Sequence, residues 1–247
     1  MLRPAAPVSL LQVISAVAFC PQPPLLVPQL AAGAAGELAA LRVSCAAAIG
    51  CVAGTGRQLV LLGAGEFSRS YSPLARGSLA GYGVPIEAHL GAATCVGALE
   101  LPLSLTIGAW LVSDVLGPRS GAVGFSVGPD FLAGRAAAEL LALAESEDVA
   151  LLVMGDGSPR RGATAPGYLD PRAVSFDDTV VNALRRGDAA ALASLDPDLG
   201  EAVLSAGVPV WRAAGQLLDG GSYDAKVLYA DDPYGVGYFV AVWTARG

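Results

Sequence analysis

A chain of 247 residues with 15 Lys and Arg against 22 Asp and Glu, a formal charge of −7, can bury a sizeable core. It is too acidic to grip a phosphate backbone, and its paired cations, Arg160–Arg161 and Arg185–Arg186, make no binding stripe, so nucleic acid is not an expected partner. Hydrophobic residues reach 53%, yet no apolar run attains the roughly 18–20 residues of a membrane span, and the nearest, ALELPLSLTIGAWLV, contains Glu100 and Pro102.

The N-terminus has two readings. Arg3, the run VSLLQVISAVAF and the AVA at 16–18 mimic a secretory signal. Gln12 and Ser15 interrupt that run, which favours a first strand, Val13–Phe19, behind a disordered leader over 1–12 and a single domain over 13–247. Cys20, Cys45, Cys51 and Cys95 lack CxxC spacing and read as buried, reduced thiols of a cytoplasmic protein.

A proline-rich loop follows, then a helix over Glu37–Ile49 with Leu38, Leu41, Cys45 and Ile49 on one face. RQLVLLGAGE is a short apolar run ending in glycines, the pattern of a buried parallel strand. Residues 67–98 read as loop with a short strand near Val84–Ile86; LELPLSLTIGAWLVSDVL begins extended and turns helical near Gly108. GAVGFSV is a strand, and FLAGRAAAELLALAESE a helix presenting Leu132, Ala136, Leu140 and Leu143. DVALLVMGDGS is the central strand. Helical patterns follow at 176–186, 188–195, 197–206 and 209–218, and KVLYAD and GYFVAVW close the chain as strands. Strands alternating with helices predict a three-layer α/β fold, its central sheet mixed or mostly parallel, with helices on both faces.

Open α/β sheets bind ligands beyond the carboxyl ends of their strands. Gln22 follows the first strand, Glu66 the second, and Asp156 and Ser158 the central one; Asp231, Asp232 and Tyr234 precede the last. Each has a plainer reading: Gln22 satisfying loop backbone, Glu66 solvated, Asp156 in an Asx turn, and Asp231 and Asp232 in a turn before Pro233. The functional reading makes Asp156, Ser158 and Glu66 catalytic and Gln22, Tyr234 and Asp231 substrate-binding. His89 is the sole histidine, so no two-histidine metal site can form, and neither a GxSxG elbow nor a complete GxGxxG loop is present.

Four stretches taken together, CPQPPLLVP, LVLLGAGE, LVMGDGSPRRGATAPGYLDPR with FD following, and PYGVGYFVAVW, resemble the class III extradiol ring-cleavage dioxygenases (LigB-like), nearest their subunit-B-like bacterial branch. The resemblance spans about Val13 to Trp243. It implies a three-layer fold with a strand-end cleft. There two histidines and a glutamate hold Fe(II), another histidine is the acid–base, and a catecholate is cut by O2. The first ligand of that pattern falls at position 22, here Gln; GAGEF offers no histidine for the second; the acid–base falls at Pro159. The expectation is therefore the family fold with a reworked small-molecule pocket. No cofactor is assigned and the metal is unknown; if the protein is an enzyme, its carboxylates act as acid and base or hold a hard cation. A non-catalytic scaffold is the alternative, signalled by Phe67, Tyr71 or Tyr168 plugging the cleft. A ring-opening dioxygenase with unusual ligands is a further one. No coiled-coil seam marks an oligomer, and self-association stays open.

Overall fold

The computed structural model describes residues 14–54, 57–91, 99–117, 121–143 and 148–246. In chain order the elements are β1 (Ile14–Cys20), α1 (Pro28–Ala31), α2 (Ala39–Val52), β2 (Gln58–Ala64), β3 (Arg69–Tyr71), β4 (Arg76–Ser78) and β5 (Glu87–His89). They continue with α3 (Leu103–Leu116), β6 (Val123–Val127), α4 (Ala133–Leu143), β7 (Val149–Met154) and α5 (Ala173–Arg186). The last are α6 (Ala189–Ala193), α7 (Pro197–Ala202), α8 (Val208–Leu217), β8 (Tyr223–Asp231) and β9 (Tyr238–Ala245).

All six residues of β7 are buried because the strand lies in mid-sheet under helices on both sides. The sheet order is β3-β6-β2-β7-β1-β9-β8. Four parallel strands, β6, β2, β7 and β1, form its centre, while β3 on one side and β9 on the other run antiparallel to them, and the edge strand β8 pairs antiparallel with β9. Alternation divides the core in two. Val149, Leu151 and Val153 pack with Phe176 and Val180 of α5 and Trp211 of α8; Ala150, Leu152 and Met154 pack with Cys45 and Ile49 of α2 and Leu105 of α3. A register irregularity in β1 between Ile14 and Ala16 puts Ile14 on the same face as Val17 and Phe19. The predicted three-layer α/β fold is present.

Local chemistry sets the helix ends. Asp188 and Asp196 cap α6 and α7 by accepting from Ala191 N and from Asp198 N and Leu199 N, with Pro197 opening α7. The Arg185–Arg186 pair lies in the last turn of α5, where cations suit the carbonyl end, before Gly187 in the left-handed region at φ 65°.

Several expectations are corrected. α3 starts at Leu103, because the fixed φ of Pro102 suits the entry to a helix. The strand expected at Val84–Ile86 is β5, Glu87–His89, paired with β4; Pro85 has no N–H to give a ladder. Leu132 precedes α4 and is 65% exposed, while Ala136 and Leu140 are buried; the Leu143 side chain lies outside what the structure describes. α7 ends at Ala202. Cys51 is exposed whereas Cys20 and Cys45 are buried. The leader over 1–12, Val13 and Cys95 lie outside the described residues. No helix among the described residues is long and apolar enough to cross a membrane.

Candidate functional site

Because β1 and β7 pair in parallel with Cys20 opposite Met154, their following loops leave the sheet side by side. Gly155 N donates to Cys20 O at 2.9 Å, extending the ladder by one bond. In Pro21-Gln22-Pro23-Pro24 only Gln22 has a backbone N–H, and it donates to Asp156 Oδ1 at 2.7 Å. The proline loop is thus tied to the turn after β7 by the one backbone N–H of that segment.

The Asp156 carboxyl keeps some solvent contact but is set deep among protein atoms. Burial pushes its pKa up to about 7, with the Gln22 N–H holding it down in part. Gln22 Oε1 is buried and has no donor among the described residues. Tyr238, the first residue of β9, is buried; burial first, then Asp156, Tyr234 and Tyr229, drive its phenol well above the ordinary value. At the rim, Tyr234 holds a left-handed backbone at φ 63° and donates its hydroxyl to Glu37 Oε2 at 2.7 Å. That bond joins the β8–β9 turn to the entry of α2.

The GDGS turn is fixed from below. Gly157 N donates to Gly237 O at 2.7 Å and Gly237 N to Ser158 O at 3.0 Å. A Cβ on Gly157 would lie 2.8 Å from Gly237 O and 2.9 Å from Asp177 Oδ1, so neither turn tolerates a side chain there. Asp177, on α5 and without solvent exposure, accepts from Ser158 N at 3.0 Å and from Arg161 Nη1 at 3.0 Å. Burial pushes its pKa up to about 6, while those two donors hold it back. Arg161 also donates to Asp232 Oδ2 at 2.9 Å. From the segment leading into α8, Gly207 N donates to the Asp156 backbone carbonyl at 2.8 Å, and Ser205 Oγ does so at 3.1 Å.

The six predicted residues therefore part company. Gln22 and Asp156 meet directly, and Tyr234 stands at their rim. Ser158 is fully buried; its hydroxyl donates to Val203 O at 2.5 Å and accepts from Arg160 N at 3.1 Å, which leaves it holding the turn. Glu66 is exposed and lines a separate cleft of about 260 Å³ with Arg69, Tyr71 and Glu100, without a hydrogen bond to Asp156 or Gln22. Asp231 ends β8 and accepts from Asp232 N at 2.9 Å, a turn contact. Phe67 and Tyr168 are exposed and Tyr71 is buried. A larger cavity of about 640 Å³, between the end of β6 and α8, is lined by Phe131, Val208 and Arg212 and by none of the six. Sequence reasoning missed Asp177, Arg161 and Tyr238. Asp177 was detectable as the acidic residue in a stripe with Phe176, Val180 and Val181.

The donor set does not fit a ferrous centre of two imidazoles and a carboxylate. His89 lies on β5, its Nε2 3.7 Å from Glu87, on a hairpin packed against α3 rather than at the strand ends. Among the described residues, no three of His, Cys, Asp and Glu come together as metal ligands. Next to the site, a hydrogen bond with Cys45 and burial hold the Cys20 thiol well above its ordinary pKa.

No family model matches the chain, and no curated protein matches it. Among solved structures, an uncharacterized protein of Escherichia coli K12 aligns over 93% of this chain and 99% of its own, at 13% identity and a TM-score of 0.46. A likeness of that size carries no argument about function.

Proposed function

We propose that the protein is a divergent relative of the class III extradiol dioxygenases that binds a small molecule at the ends of β1 and β7 without an iron centre. One observation carries this reading: the buried Gln22 Oε1 has no donor among the described residues, on the same residue whose backbone N–H binds the Asp156 carboxyl, whose pKa is pushed up to about 7. A buried polar atom left without a partner costs about 1–3 kcal/mol, and a ligand bearing N–H or O–H groups removes that penalty. A carboxyl titrating near neutrality also takes up and releases a proton at physiological pH, as a general acid or base must. Within the site, Asp156 moves the proton, Gln22 orients the ligand, and the Tyr234–Glu37 bond closes the rim. A cytoplasmic location agrees with the reduced Cys20 and Cys45.

The test is calorimetric titration of catechol into protein purified without chelator, with metal content measured on the same sample. Binding to iron-free protein, weakened by Gln22→Ala, supports the proposal. No binding with or without added Fe(II) favours the scaffold alternative. Ring cleavage that requires iron favours a dioxygenase with unusual ligands.

A further inference from the structure

The strand-end site is built almost entirely of electron-rich groups. Among the described residues no cation acts on the Asp156 carboxyl; what bears on it is burial and the Gln22 N–H. Tyr238 on β9 lies within electrostatic reach of it, with Tyr234 hydrogen-bonded to Glu37 at the rim, and Tyr229 lies near Asp231 and Asp232. On the α8 side, Gly207 and Ser205 are occupied by the Asp156 backbone carbonyl. Arg160, the cation closest in sequence, is taken by Asp170 and the Ala202 carbonyl, and Arg161 by Asp177 and Asp232. Gln22 Oε1, buried and unpartnered, adds a further acceptor. A buried carboxylate and a buried amide oxygen together call for a ligand that is both cationic and rich in donors. Tyrosine rings suit the same kind of group.

Resting on the reading that this site binds a small molecule, we propose that it takes the ammonium group of an organic amine, whose N–H donors satisfy Gln22 Oε1 and the Asp156 carboxylate. Binding favours the ionised carboxyl, so association releases a proton in the pH range where free Asp156 is protonated. An anionic ligand is excluded by the same charges.

The experiment uses the full chain at constant ionic strength, titrated calorimetrically with 2-phenylethylamine, its neutral isostere 2-phenylethanol, and catechol. At about pH 8 the amine should bind about tenfold tighter than the alcohol, the difference a charge-assisted hydrogen bond makes. The preference should shrink as the pH falls below about 6, where Asp156 becomes neutral. Titration near neutral pH in buffers of different ionisation enthalpy should report proton release for the amine and none for the alcohol. Asp156→Asn should abolish the preference; Gln22→Leu, which keeps the carboxyl, should weaken amine binding and serves as the second variant if the first does not fold. Equal affinity for amine and alcohol, or a preference unchanged in Asp156→Asn or Gln22→Leu, overturns the inference. Catechol binding without an amine preference overturns it while leaving the proposed function standing; failure of all three ligands to bind overturns both.

Discussion

Replacing Asp156 by Asn keeps an oxygen that accepts the Gln22 N–H and removes the ionisable group, so its effect on stability should depend on pH. The folded-state pKa is pushed up to about 7, against about 3.9 for an unfolded Asp. Between those values the folded protein binds a proton that the unfolded chain does not, and the stability this contributes is lost as the pH rises through about 7. Three pKa units at about 1.4 kcal/mol each set a ceiling of about 4 kcal/mol. Because Asp156 keeps some solvent contact, about 2 kcal/mol is the better expectation. For a chain of this length that corresponds to about 4–8 °C in Tm. Thermal melts by circular dichroism should therefore place the variant about 4–8 °C above the unsubstituted protein at pH 8, with the curves converging toward about pH 4. Parallel curves, or a variant less stable at pH 8, would refute the reasoning that Asp156 is a buried carboxyl without a counter-ion.

Arg161→Ala strips the fully buried Asp177 of its cation and should destabilise by about 3 kcal/mol at neutral pH, and by less at low pH, where Asp177 takes a proton; urea denaturation at two pH values reads the difference. Ser158→Ala leaves the Val203 carbonyl unpaired and should cost about 1–3 kcal/mol in the same assay while leaving ligand affinity unchanged. Glu66→Gln, in its separate cleft, should leave catechol affinity unchanged in a calorimetric titration.

What could be read from the sequence follows from how local the determining interactions are. β7 was plain because six apolar residues in a row fit only a strand covered on both faces. α5 was readable from its apolar spacing. Positions on the strand-end rim were also legible, since they follow directly from where each strand stops. Side-chain direction was not. The Ser158 hydroxyl is claimed by the carbonyl of Val203, 45 residues away, and Asp177 is held by Ser158 and Arg161 from another segment. Gln22 among its prolines was marked as unusual, but its meaning depends on a donor–acceptor pair spanning 134 residues. Short elements such as β3 and β4 escaped, and β5 is displaced by three residues from its expected place, because three-residue strands carry almost no periodicity.

The most direct test of the whole account is iron reconstitution under anaerobic conditions, followed by metal analysis and exposure to catechol and O2. The site described here, with an amide at position 22 and the sole imidazole on a distant hairpin, predicts catechol bound to protein that retains no stoichiometric iron and yields no yellow ring-opened product. Tightly held Fe(II) together with accumulating ring-cleavage product would contradict it.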